Sequence, residues 1–122
     1  MRAAKIAIAV LFLLATAILA NSYYIKCVTI NLTERINAVD IDNMESAKEE
    51  FESIYNKFKK AERYISLTVS HDDLTNIEEG FADIMGAFEA GAKTSIVMIK
   101  SRLTDALEHL GRLSGINLDS II

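Results

Sequence analysis

Residues 6–20 form an unbroken run of 15 residues without a charge, in which Thr16 is the only polar side chain. Water cannot solvate such a segment cheaply, so lipid or protein must cover it. Met1-Arg2-Ala3-Ala4-Lys5 before the run is short and positive, and Asn21-Ser22-Tyr23-Tyr24 follow it. Two arrangements fit this order. A signal peptide would be cut after Ala17 (Ala15-Thr16-Ala17) or after Ala20. The first cut leaves apolar Ile18-Leu19 on the mature end, and the second puts bulky Ile18 where a small residue is preferred. An uncleaved anchor uses the segment better. Adding Ala3, Ala4 and the paired tyrosines lengthens it to about 20 residues, roughly 30 Å of helix, which matches the hydrocarbon core of a bilayer. Tyr23 and Tyr24 suit the interface, and Arg2 and Lys5 hold the N-terminus in the cytoplasm. The preferred reading is therefore a single-pass anchor at residues 1–24, meeting membrane lipid through residues 3–24, with residues 25–122 as an extracytoplasmic domain. Secretion after cleavage is the alternative, and both place the chain beyond Tyr24 outside the cytoplasm. A buried core helix fits less well, because no other segment is hydrophobic all round and able to cover it.

Beyond the run, about 100 of the 122 residues remain, room for one domain with a modest core. Proline is absent and only five glycines occur, which favours long helices over a sheet with many tight turns. The apolar positions agree, recurring at steps of three and four. Ile25, Val28, Leu32, Ile36 and Val39 continue the anchor helix outward without a break. Asp40-Ile41-Asp42-Asn43 then supplies turn and cap chemistry. Met44, Ala47, Phe51, Ile54, Phe58, Ala61 and Ile65, with Tyr55 beside them, mark a second helix, whose Lys48, Glu49, Glu52, Lys59, Glu62 and Arg63 read as the solvated side. Ser70-His71-Asp72-Asp73 approximates a capping box, its acids complementing the positive end of the helix dipole. Leu74, Ile77, Phe81, Ile84 and Phe88 mark a third helix, ended by Gly91 as the residue past its last turn. Gly80 and Gly86 lie inside it, each costing roughly 1 kcal/mol against alanine, a cost that a close helix–helix approach offsets. Ile96, Ile99, Leu103, Ala106, Leu110 and Leu113 mark a fourth helix. Ser114-Gly115 is expected to stop it, leaving Ile116, Leu118, Ile121 and Ile122 as an apolar tail. The expected fold is all-α: a transmembrane helix continuing into an antiparallel up-down bundle of about four helices.

Charge narrows the partners. Two of the 13 basic residues, Arg2 and Lys5, precede the apolar run, leaving 11 against 17 acidic ones beyond it, a balance of −6. Such a surface repels phosphate backbones, so no nucleic-acid partner is expected. The lone Cys27 allows no internal disulfide or cysteine-based zinc site, though an intermolecular disulfide is open to it. Tyr24-Ile25-Lys26 before it lacks the small residue a lipoprotein signal needs. His71 with Asp72 and Asp73 is the nearest approach to a metal motif, but a helix start favours anions and adjacent side chains point apart. His109 beside Glu108 adds a second histidine without fixed carboxylates. No Gly-x-Ser-x-Gly elbow, Gly-x-Gly-x-x-Gly turn or phosphate-cradling Gly-Lys-Ser loop occurs. Asn31-Leu32-Thr33 matches a glycosylation sequon but falls inside an expected helix. No catalytic, cofactor-binding or metal-binding residue is assigned, no cofactor is implied, and the chain is not read as an enzyme.

His71-Asp72-Asp73-Leu74-Thr75-Asn76-Ile77-Glu78-Glu79, Phe88-Glu89-Ala90-Gly91, residues 103–113 with Glu108-His109, and the Asn21-Ser22-Tyr23-Tyr24-Ile25 exit from the apolar run together resemble the bacterial domain-of-unknown-function family 4363. The resemblance covers nearly the whole chain. It implies one N-terminal span and a helical extracytoplasmic part, and it adds no catalytic residue. Members of that family usually place an acid after the glycine that ends the third helix. Ala92 stands there in this chain, which leaves the start of the fourth helix less well capped. The expected role is protein interaction or scaffolding at the cell envelope, through an envelope protein partner whose identity the sequence does not specify, with homo-oligomerisation open to so small a bundle. A small-molecule-sensing bundle acting through a membrane partner is the alternative, with Gly80 and Gly86 leaving space between helices.

Overall fold

The computed structural model describes residues 2–67 and 69–121, and of residues 113–121 the backbone alone. Four helices account for nearly all of it, with no strand among the described residues: α1 Arg2–Ala38, α2 Met44–Ile65, α3 His71–Ala90 and α4 Lys93–Ile121.

Helix α1 is one rod of 37 residues, about 55 Å long at the standard rise, and its two halves have opposite surroundings. Residues 3–20 are exposed throughout, and the apolar stretch is long enough to cross a membrane with no part of it buried against protein. From Ser22 onward one face turns inward: Ile25, Val28, Leu32 and Ile36 are buried at spacings of three and four. A core helix of a soluble protein would be covered along its whole apolar length. This one is covered only where its sequence becomes amphipathic.

The caps follow the sequence. At the start of α2 the Asn43 side chain accepts from the Ser46 N–H. At the start of α3 Ser70 Oγ accepts from the Asp73 N–H and donates to Asp73 Oδ2 at 2.7 Å. Gly91 ends α3 in the left-handed conformation, φ 65°, where glycine alone is unstrained. Ala92 offers no side-chain cap to α4, whose first turn closes on the Ala92 carbonyl through the Ile96 N–H. Unlike the expected stop at Ser114-Gly115, α4 runs on to Ile121. Glycine inside a helix costs only about 1 kcal/mol, too little to end one that the turns on both sides sustain.

Short connections make successive helices antiparallel, and α4 returns beside α1 to close the ring, so that each helix packs on two neighbours and none crosses the diagonal. Phe51, Ile54, Phe58, Ala61 and Ile65 of α2 meet Leu74, Ile77, Phe81, Ile84 and Phe88 of α3 in one continuous core. Phe51–Phe88 and Phe58–Phe81 ring centroids lie 5.4 and 5.8 Å apart, within the range of favourable aromatic contact. From α4 the core takes Ile96, Leu103, Leu107 and Leu110, with Ile99 and Ala106 at its margin. The sequence pattern had placed Ile99 and Ala106 in the seam and passed over Leu107. Leu113, also expected there, lies beyond the described side chains.

The α1–α4 contact is the most extensive of the four pairs, and within it Thr29 of α1 meets Gly111 of α4. Ser22, Thr29 and Thr104 are the polar side chains buried among the described residues. Thr29 Oγ1 and Thr104 Oγ1 each donate to a carbonyl three residues back, Lys26 and Ser101, at 2.9 Å, so neither hydroxyl is stranded by burial. A Cβ built on Gly111 would stand 2.8 Å from Thr29 Oγ1, and one on Gly80 would stand 2.9 Å from Leu103 Cδ1. Both glycines therefore mark close helix approach, at α1–α4 and α3–α4. Gly86 is exposed with nothing near its missing side chain, so the close approach expected there does not occur.

Candidate functional site

The residues the sequence marked for chemistry are scattered. His71 and Asp72 are exposed at the start of α3, and Asp73 is taken up by the cap with Ser70. Glu108 and His109 are exposed on α4. No group of three or more histidine, cysteine, aspartate or glutamate side chains among the described residues is placed to hold a metal. Cys27 is exposed on α1. The sequon is folded out of use: Asn31 Oδ1 accepts from Lys57 Nζ, Leu32 is fully buried, and the Thr33 hydroxyl is buried without a partner.

The space between helices does not form a ligand chamber at the glycines. The gap at Gly80 is filled by the Leu103 side chain, and Gly86 faces outward. A depression of about 570 Å³ lies over α1 and α2, lined by Arg35, Glu49, Glu52, Ser53, Asn56 and Lys57 among others. It is open and polar. Its fixed feature is Arg35, whose Nη2 donates to Glu50 Oε1 at 2.8 Å and to Ser53 Oγ at 3.1 Å. Those bonds clamp α1 to α2 and leave the guanidinium engaged.

The charged surface works in the same way, as ties between helices. Lys59 of α2 binds Glu62 and Glu78 at 2.9 Å each. The two carboxylates, Glu62 first, raise Lys59 above the ordinary lysine value. Glu62 and Lys59 together hold Glu78 below the ordinary glutamate value. Arg102 pairs with Asp83 across α3–α4 at 2.6 Å. Lys93 pairs with Asp42, joining the α1–α2 connection to the start of α4, and lowers the Asp42 carboxyl while its own ammonium is raised. Part of the side read as solvated in α2, Lys48, Lys59 and Glu62, is thus spent on ion pairs. Exposed pairs of this kind contribute about 0–1 kcal/mol each.

One end of the bundle adds exposed aromatic and apolar side chains to this charged surface. Where α1 leaves its apolar stretch, the Tyr24 ring meets Tyr64 near the end of α2 edge-on, with centroids 5.6 Å apart. Tyr23, Tyr64 and Leu67 are exposed around that contact. Tyr23 and Tyr24 stand out in the sequence as aromatic residues at the end of the apolar run. Tyr64 and Leu67 do not stand out, because they lie off the core stripe of α2 and in its following turn, and only the fold brings Tyr64 to the height of Tyr24.

Compared with known proteins, the chain matches no protein-family model, no curated protein and no solved structure.

Proposed function

We propose that this chain is a membrane-anchored protein with an extracytoplasmic helical bundle, serving protein interaction or scaffolding at the cell envelope. The observation that carries the reading is the division of α1: a charge-free stretch uncovered by protein runs without a break into the face that builds the core. A helix so built fixes the bundle at the membrane surface, because no flexible linker separates span from domain. Arg2 and Lys5 ahead of the span favour a cytoplasmic N-terminus and an outer bundle. The surface supports interaction over catalysis: its charged groups tie helix to helix, and its histidines are dispersed. Membership of domain-of-unknown-function family 4363 belongs to the same proposal and rests on the residue resemblance described above.

The test is in-cell photo-cross-linking of the full chain, with the cross-linker at Val97 or Met98, exposed apolar residues of α4 far from the span. The expected outcome is a reproducible adduct with one envelope protein, lost when the site is moved to a buried position such as Leu107. No adduct across several growth states would contradict the scaffold reading.

Secretion is the second reading, and one observation favours it. Cuts after Ala17 or Ala20 both fall before Ser22, the first buried residue of α1, and would leave every core residue in place.

A further inference from the structure

The Tyr24–Tyr64 contact sets the level of the α2–α3 corner. Tyr24 closes the apolar segment of α1, so whatever lies beside its ring lies at the same depth. Tyr64 does, and Leu67, in the turn that follows α2, is 76% exposed, the most exposed large apolar side chain among the described residues. Tyr64 is 51% and Tyr23 70% exposed. Three large side chains open to solvent at one end of a small bundle is a concentration that water does not favour. Lys26, Lys60 and Arg63 are exposed near this end, and Asp72 is exposed at the start of α3 beside the same corner.

We infer that the α2–α3 corner is a second membrane contact, in which Tyr64 and Leu67 enter the interfacial zone of the bilayer that α1 crosses. The occupant of this face is lipid for a reason of continuity: the patch surrounds the point where the apolar segment ends, and α1 has no hinge to carry the bundle away. Tyrosine suits that zone, with its ring among acyl-chain ends and its hydroxyl among headgroups. Leucine adds apolar area, and Lys26, Lys60 and Arg63 offer cations to the phosphates, partly offset by the Asp72 carboxylate. Two contacts, the span and the corner, fix the tilt and the rotation of the bundle about α1, which a lone helix leaves free. The inference rests on the anchor reading proposed above and specifies how the anchored bundle sits.

The test uses the full chain with Cys27→Ser, reconstituted in vesicles of phosphatidylcholine and phosphatidylglycerol at three to one. Nitroxide labels are placed singly on Phe12→Cys, Leu67→Cys and Val97→Cys, and collisions with oxygen and with a water-soluble nickel chelate are measured. Lipid contact is expected to give Leu67 oxygen-rich, nickel-poor relaxation between that of Phe12 and that of Val97, with nickel accessibility several-fold below Val97. Adding Tyr64→Ser should bring the Leu67 label closer to the Val97 value. Leu67 as open to nickel as Val97 overturns the inference while Phe12 remains in lipid. Leu67 shielded from both reagents also overturns it, because protein then covers the corner. Phe12 open to nickel sinks the anchor reading, and the inference with it.

Discussion

A methyl group is enough to distinguish the glycines inside these helices. On Gly86 it would meet nothing within 4 Å, so Gly86→Ala keeps the fold and gains the helix propensity of alanine. A rise in stability of about 1 kcal/mol is expected. On Gly111 it would stand 2.8 Å from Thr29 Oγ1, an atom fixed by a stiff β-branched side chain and by its bond to the Lys26 carbonyl. Gly111→Ala must push α4 from α1 or break that bond, at a cost of about 1–3 kcal/mol that outweighs the propensity gain. Thermal unfolding of the full chain in mild detergent, followed by helical circular dichroism, should show the two variants moving in opposite directions. The double variant Thr29→Ala with Gly111→Ala should recover most of the loss, because the clashing oxygen is gone. The buried hydroxyls are also the least legible positions of the core. Ser22, Thr29 and Thr104 were passed over because polar residues do not read as core. Yet Ser22, Thr29 and Ile36 recur every seven residues, the period of a packed seam, and Leu107 lies four residues after Leu103 and three before Leu110.

Helix ends were more legible than helix seams, because a cap is local chemistry and a seam depends on which neighbours arrive. Asn43, Ser70 and Gly91 each do what their types and positions imply. Ser70→Ala removes both the acceptor for the Asp73 N–H and the donor to its carboxylate, and should cost about 1 kcal/mol in the same unfolding measurement. Ser114-Gly115 misled because serine and glycine weigh against a helix residue by residue, while α4 is a property of its full 29 residues. The tie between connections is electrostatic. Lys93 lowers the Asp42 carboxyl, so this pair contributes stability above the ordinary aspartate value and loses it as pH falls through the lowered one. Lys93 is raised in return, so its contribution is full below the ordinary lysine value and fades as pH rises through the raised one. Carbon-detected NMR titration should give Asp42 a midpoint below that of an ordinary aspartate, moving back up in Lys93→Met. An unchanged midpoint in that variant would remove the pair from the account.

At the scale of the whole molecule, α1 belongs to two environments at once. The all-α fold and the apolar leader follow from patterns of charge and apolar spacing that any reader of the chain could extract. The up-down bundle follows as well, from the short connections, but the makeup of the α1–α4 contact does not, since Thr29 and Gly111, which meet there, carry little hydrophobic signal. The exposed corner at Tyr64 and Leu67 was hidden for a related reason: depth along a bundle is a relation between helices, invisible in either one alone. What the molecule offers a partner is consequently a question of where it stands, and that depends on whether the uncovered half of α1 stays attached. Intact-mass measurement of the chain recovered from producing cells settles it most directly. A membrane-fraction species that still contains residues 1–24 is the result predicted. A mature species beginning at Ile18 or Asn21 and recovered outside the membrane would contradict the anchored account.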